Sequence, residues 1–206
     1  MAEEKPTVFI IDDDPSIRKS LLRLLRSFGF EAETFDSAEE YLERERYQGT
    51  GCIVLDVRMP GIDGLALQNE LNKADYTMPV IFVTAHGNIP MSVEAMKKGA
   101  VDFLPKPFDD NEFLQAVNRA VETDRTAKIR FAGTREILRR IQRLTPREQE
   151  VLRYVVSGMP NKQIAFRLGI AEKTVKAHRG RIMKKLEIDS LPELTRLAEK
   201  AGIQPL

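Results

Sequence analysis

Asp12, Asp13 and Asp14 run together directly after the apolar segment Val8 to Ile11, and Asp56 stands alone directly after Ile53 to Leu55. Thr84 follows Val80 to Val83, and Lys106 follows Val101 to Leu104 with Pro105 between. A carboxylate can attack a phosphoryl group and form an acyl phosphate. Asp56, inside Leu-Asp-Val-Arg-Met-Pro-Gly, is the candidate nucleophile. Carboxylates gathered without a cation raise one another's pKa values, and a divalent ion removes that penalty. Hard oxygen ligands favour Mg²⁺ with several retained waters. Asp12, Asp13 and Asp56 are the expected ligands, with the Arg58 carbonyl as a further one. Such an ion neutralises charge on transferring oxygens. Lys106 is expected to pair with the phosphoryl group from the opposite side, and the Thr84 hydroxyl to donate to one of its oxygens. Taken singly, Asp14 is a helix cap, Thr84 a strand-end hydroxyl, Lys106 a surface lysine and Phe103 a core ring. Only their joint order argues for chemistry. His86 reads as a loop residue and Cys52 as packing.

For these residues to meet, the segments before them must lie side by side. Val8–Ile11, Ile53–Leu55 and Val80–Val83 are short, wholly apolar runs rich in β-branched residues, as in parallel strands covered on both faces. Ala32 to Phe35 and Val101 to Leu104 are weaker strands. Between them lie helical patterns. Asp14 caps a helix with Pro15 at its first position, and Ile17, Leu21, Leu24, Leu25 and Phe28 mark its face before Gly29. Ala38, Tyr41 and Leu42 mark a second helix, Leu67 and Leu71 a third, and Val93 and Met96 a fourth that stops at Gly99. Asp109 with Glu112 has capping-box spacing before Phe113, Leu114, Val117 and Val121. Five successive βα units imply an α/β fold, a doubly wound five-stranded parallel sheet. Ligands of such sheets bind at the C-terminal ends of the strands. Asp12, Asp56, Thr84 and Lys106 all stand at that edge.

The chain has 206 residues and a net charge of +1, but the charge is divided. Residues 1–124 carry 13 Lys and Arg against 23 Asp and Glu, and residues 125–206 carry 19 against 8. Two domains with different partners are expected, the basic one facing nucleic acid. One cysteine permits no internal disulfide, and with two histidines it leaves little for a zinc site. No apolar run approaches the roughly 18 residues of a membrane span, and no secretion signal is visible. No membrane association and a cytoplasmic location are expected. The boundaries read as 1–123 for the first domain, 124–143 for an arginine-rich, partly helical linker and 144–206 for an all-α second domain of four helices. The linker reads equally as a continuation of the preceding helix or as a tether.

In that second domain Thr145-Pro146-Arg147-Glu148 has capping-box spacing, and Val151, Leu152 and Val155 form the apolar face that follows. Asn161 is expected to cap a short helix holding Ile164, Ala165 and Leu168. After Gly169 a third helix runs from about Glu172 to Leu186, and Ser190 with Glu193 opens a fourth along Leu194, Leu197 and Ala198. Two short helices joined by a glycine turn form a helix-turn-helix. Val175, Ile182 and Leu186 are spaced for burial. Lys173, Lys176, Ala177, Gly180, Arg181 and Lys184 point away from them. Outward cations contact phosphates or guanine edges, and small residues allow close approach to a major groove.

The four N-terminal motifs, Ile-Ile-Asp12-Asp13, Leu-Asp56-x-x-Met-Pro-Gly, Val-Thr84-Ala and Lys106-Pro-Phe, resemble the receiver domains of two-component systems over roughly residues 5–123. Leu-Thr145-Pro-Arg-Glu148, Asn161-Lys-Gln-Ile-Ala and Lys173-Thr174-Val-Lys176-x-His178 resemble the LuxR/FixJ class of DNA-binding domains. The resemblance implies a response regulator phosphorylated by a sensor histidine kinase and acting on promoter DNA with RNA polymerase, as an activator. It implies a switch in which Thr84 moves to the phosphate and Phe103 turns inward, and a cis Lys106–Pro107 bond. It places Lys173, Thr174, Lys176 and their neighbours near DNA, and implies a homodimer on phosphorylation through the fourth helix. His178 stands beside the DNA backbone or packs inside. Gly180 replaces a lysine found in some members, shifting base reading toward Arg181 or Lys176. Two rivals are a phosphatase of the haloacid-dehalogenase type, with Asp12 as nucleophile, and a constitutive DNA binder with a vestigial receiver.

Overall fold

The structure, a computed structural model, describes residues 5–74, 78–85 and 88–203, so His86 lies outside the described residues. Five parallel strands form one sheet in the order β2-β1-β3-β4-β5, with β1 at Thr7–Ile11, β2 at Glu31–Phe35, β3 at Gly51–Leu55, β4 at Val80–Thr84 and β5 at Asp102–Pro105. The order reverses between β1 and β3, which places Ile11 beside Leu55 and their following residues, Asp12 and Asp56, at one crevice. The helices are α1 (Pro15–Ser27), α2 (Ala38–Glu43), α3 (Gly64–Lys73), α4 (Ile89–Lys97) and α5 (Asp110–Gln142). Val8, Ile10, Cys52, Val54, Ile81 and Val83 pack against α1 and α5. Phe9, Ile11, Ile53, Leu55, Val80 and Phe82 pack on the other face. Burial on both faces is why these strands are apolar at every position rather than at alternate ones. Cys52 is fully buried there, and burial pushes its thiol pKa well up, so it stays a protonated packing group.

Several local expectations are corrected. Phe28 is 61% exposed because it is the C-cap of α1, beyond the last packed turn. Val93 and Met96 are exposed as well. The packed face of α4 is Met91 and Ala95, four residues apart, and the other two lie round the helix from it. Asp109 opens α5 by accepting the Asn111 N–H at 2.8 Å, and Glu112 makes no return bond among those of the described residues.

The chain divides into two compact units, Met1–Lys128 and Ile129–Leu206, and α5 runs without a break across the boundary. Within the first unit Asp124 of α5 is buried and accepts the Gly51 N–H at 2.8 Å and the Lys128 ammonium at 2.7 Å, fastening α5 to the start of β3. In the second unit, Ile137 and Ile141 pack against the core formed by α6 (Pro146–Val156), α7 (Asn161–Leu168), α8 (Glu172–Leu186) and α9 (Leu191–Lys200). Thr145 and Glu148 make the capping box in both directions. Asn161 does not cap α7. Pro160 holds the cap position, and the Asn161 side-chain oxygen Oδ1 accepts from Arg179 Nη1 at 2.8 Å, tying α7 to α8. Gly169 ends α7 in the left-handed conformation that glycine adopts most cheaply, which sets the turn into α8.

Candidate functional site

The crevice beyond β1 and β3 collects the residues singled out by type and spacing. Carboxylate oxygens of Asp12, Asp13 and Asp56 all lie within 4.8 Å of one another. Asp12 and Asp56 are buried and Asp13 is exposed. Three hard oxygen donors, closed on the protein side and open at Asp13, fit a hard divalent cation that keeps waters. Arg58 lies two residues past Asp56 with an exposed side chain. Lys106 leans on Asp12, with Nζ 2.6 Å from Asp12 Oδ2 and 3.9 Å from Asp56 Oδ2. The Thr84 side chain, at the end of β4, hydrogen-bonds Asp56. The Lys106 N–H donates to the Thr84 carbonyl at 2.8 Å, so the two residues share one backbone frame. Phe103 is half-buried on β5, its ring 6.1 Å from that of Phe82. The Lys106–Pro107 bond is cis.

Burial lifts the Asp56 carboxyl above its ordinary pKa. The Lys106 charge and the Thr84 hydrogen bond oppose this, the Asp12 charge adds to it, and the Val57 N–H, 2.8 Å from Oδ1, lowers it slightly. A cluster of carboxylates facing one ammonium is thus held short of positive charge, which a bound cation would supply.

Two supporting residues escaped the sequence reading. The Asp12 carbonyl accepts from Arg18 Nη1, one turn into α1. Gly64 donates its N–H to the Val57 carbonyl at 2.9 Å, and a Cβ there would sit 2.2 Å from the Asp56 carbonyl oxygen. Nothing local in sequence marks Gly64, because the close approach comes from how α3 returns past the end of β3.

In the second unit α8 buries Val175, Ile182 and Leu186 and leaves Lys173, Thr174, Lys176, Ala177, Gly180, Arg181 and Lys184 exposed. A Cβ on Gly180 would meet nothing within 4 Å, so the stripe is open there. His178 is half-buried, with Nδ1 buried and without a hydrogen-bond partner among the described residues. Polar ties hold α8 on its neighbours: besides Arg179 to Asn161 of α7, Lys185 Nζ lies 2.6 Å from Glu148 Oε2 of α6. Arg147 of α6 donates to the Leu168 carbonyl of α7 at 2.8 Å, joining those two helices. Burial works against the Glu148 carboxylate, but the hydrogen bonds from Lys185 and the Thr145 N–H outweigh it and hold its pKa below the usual range. The capping-box spacing marked Glu148 in sequence, and the ion pair with Lys185 was visible only in the fold.

The two units match two known families. Residues 8–118 match the response regulator receiver domain, and residues 142–198 match the bacterial regulatory proteins of the luxR family. Nodulation protein W of Bradyrhizobium diazoefficiens is 48% identical over 202 residues, 98% of this chain and 89% of that protein. Transcriptional regulatory protein FixJ of Azorhizobium caulinodans is 46% identical, over 100% of this chain and 97% of that protein. Among solved structures, the response regulator StyR superposes with a TM-score of 0.86 at 48% identity, over 96% of this chain and 100% of that one.

Proposed function

Because the chain belongs to the two-component response regulators that join a receiver to a LuxR-type DNA-binding domain, and is a phosphorylation-dependent regulator of transcription, we propose that Asp56 is the residue that takes the phosphoryl group. The observation that carries this reading is the meeting of Asp12, Asp13, Asp56 and Lys106 at the switch point of the sheet, with the Thr84 side chain on Asp56. Asp12, Asp13, Asp56 and the Arg58 carbonyl would hold Mg²⁺, which would supply positive charge to the phosphoryl oxygens. The Asp56 carboxylate attacks phosphorus, and the donor leaves in line. Lys106 turns from Asp12 to the new phosphoryl group, and the Thr84 hydroxyl donates to it. Thr84 then carries the state of the site to Phe103 through the β4–β5 edge. The receiver assists its own phosphorylation and dephosphorylation and has no other enzymatic role.

Residues 1–123 form the receiver and 144–206 the DNA-binding domain, with 124–143 between them. A sensor histidine kinase supplies the phosphoryl group in the cytoplasm. Phosphorylation drives a homodimer, so two copies of α8 reach paired half-sites. Lys173, Lys176 and Lys184 contact phosphates, Thr174, Ala177 and Gly180 let the backbone approach, Arg181 reads a base edge, and His178 steadies α8 at the DNA backbone. The bound dimer recruits RNA polymerase as an activator.

The test is labelling with acetyl phosphate and Mg²⁺, read by intact mass and peptide mapping. Wild type gains one phosphoryl group on Asp56, Asp12→Asn labels more slowly on the same residue, and Asp56→Asn does not label. Label retained in Asp56→Asn and lost in Asp12→Asn would move the nucleophile to Asp12 and favour the phosphatase-like alternative.

A further inference from the structure

The strands of the receiver are parallel, so α2, which follows β2, begins at the same edge of the sheet as Asp12 and Asp56. Glu39 stands in the first turn of α2. Its carboxylate bonds outside its own helix: Oε1 accepts the Ile62 N–H at 3.0 Å, 23 positions along the chain. Glu39 is exposed and is not one of the clustered carboxylates. Ile62 belongs to the segment between Asp56 and α3, the segment that also carries Arg58.

That segment is fastened at both ends. Val57 is buried, its N–H meets Asp56 Oδ1 at 2.8 Å, and its carbonyl accepts the Gly64 N–H at 2.9 Å. Asp63 caps α3 through the Ala66 N–H at 2.7 Å. Between these ends the chain turns outward. Arg58, Pro60 and Gly61 are exposed, and Gly61 takes a φ of 76°. Pro60 has no N–H to donate. Glu39 lies directly on this turn, since a Cβ on Gly61 would sit 2.4 Å from Glu39 Oε1. Among the hydrogen bonds of the described residues, the one from Glu39 is the one that reaches the turn from another helix. Water would satisfy an exposed Ile62 N–H equally well, so the value of the bond lies in where it puts the turn.

We infer that Glu39 is a positioning residue of the phosphorylation site: by holding the Ile62 N–H it keeps the turn after Asp56, and with it the Arg58 carbonyl, in place to meet Mg²⁺. The inference rests on the Arg58 carbonyl being a ligand, as proposed above. A backbone ligand has no side-chain rotamer to adjust, so its place is set by what fastens the chain on either side. Losing an outer bond that orients a ligand weakens metal binding about tenfold or more in buried sites, and by less where the bond is exposed to water, as here. Glu39 acts on metal affinity and leaves the attack by Asp56 on the donor as it was.

The test is the rate of labelling of the full-length protein by acetyl phosphate as Mg²⁺ is varied, with Mg²⁺ binding followed in parallel by NMR titration without the donor. Glu39→Ala should raise the half-saturating Mg²⁺ about fivefold by both readouts and leave the rate at saturating Mg²⁺ unchanged. Glu39→Gln keeps an acceptor oxygen and should stay near wild type. Glu40→Ala is the control: it removes a bond of the same helix start, from the Asp36 N–H to Glu40 Oε2 at 2.9 Å, that does not reach the turn, and it should leave Mg²⁺ binding unchanged. In the metal-free protein the Ile62 amide proton should move upfield in Glu39→Ala and much less in Glu39→Gln. Wild-type Mg²⁺ affinity in Glu39→Ala, an unmoved Ile62 amide, or an equal loss in Glu40→Ala would overturn the inference. Asp13→Asn separates it from the reading beneath: if that change leaves Mg²⁺ binding intact, the proposed metal site itself fails, and the role of Glu39 fails with it.

Discussion

Replacing Asp56 with asparagine should make the receiver more stable in the absence of divalent metal. Asp56 is 9% exposed, with a second carboxylate oxygen within 4.8 Å on Asp12 and the Lys106 ammonium at 3.9 Å. At an effective dielectric of about 20 the repulsion at 4.8 Å is about 3.5 kcal/mol and the attraction at 3.9 Å about 4 kcal/mol. The pair terms nearly cancel. What remains is the cost of holding a charge away from water plus a weaker repulsion from exposed Asp13, which agrees with burial lifting the Asp56 pKa. Asparagine keeps an acceptor for the Val57 N–H and sheds the charge. The expected gain is about 1–2 kcal/mol, and each kcal/mol should raise the melting temperature of a unit this size by about 4 °C. Scanning calorimetry of the full-length protein, read at the receiver transition without metal and then in Mg²⁺, checks it. Mg²⁺ should stabilise wild type more than the variant and close the gap. A variant less stable than wild type without metal, or one that gains as much from Mg²⁺, would mean that the buried Asp56 charge is not a net cost.

Glu148→Gln should destabilise the DNA-binding domain by about 2 kcal/mol at pH 7, since the Lys185 ammonium loses a charged partner. The Glu148 pKa is depressed in the folded protein, so its contribution is complete above the ordinary carboxylate range and lost as pH falls through the folded value. Urea titrations at falling pH should show the two proteins converging, and a constant gap would contradict the ion pair. Gly64→Ala forces backbone apart at the Asp56 carbonyl, at a cost of about 1–3 kcal/mol, and should slow labelling by acetyl phosphate. Wild-type melting and labelling would argue against that close approach. Lys184→Ala should weaken DNA binding similarly on all sequences and lower the salt slope by about one, whereas Arg181→Ala should relax preference at one base position. Binding isotherms at several salt concentrations separate the two, and two identical profiles would dissolve the distinction.

The sheet was legible in sequence because three of its strands are buried on both faces and so are apolar throughout. The site was legible because each of Asp12, Asp56, Thr84 and Lys106 directly follows a strand or ends one. The boundaries of α8 were legible for a similar reason, since Val175, Ile182 and Leu186 mark one face and Gly169 stops the helix before. What stayed hidden depends on distant partners. Val93 and Met96 have helical spacing, yet the packed face of α4 is set by what Met91 and Ala95 meet in the core. Asn161 has the chemistry of a cap and is used instead by Arg179, 18 positions away. Gly64 and Arg18 support the site through backbone carbonyls, which no side-chain pattern encodes. Asp124 reads as a linker residue and is a buried anchor, because its partners Gly51 and Lys128 converge only when α5 lies against β3.

The most direct test of the account is DNA binding and sedimentation of the full-length protein with and without acetyl phosphate and Mg²⁺, for wild type and Asp56→Asn. The donor should drive wild type to a dimer with tighter DNA binding and leave Asp56→Asn unchanged on both readouts. Equal DNA binding by both proteins, with or without the donor, would contradict it and mark the chain as a constitutive DNA binder.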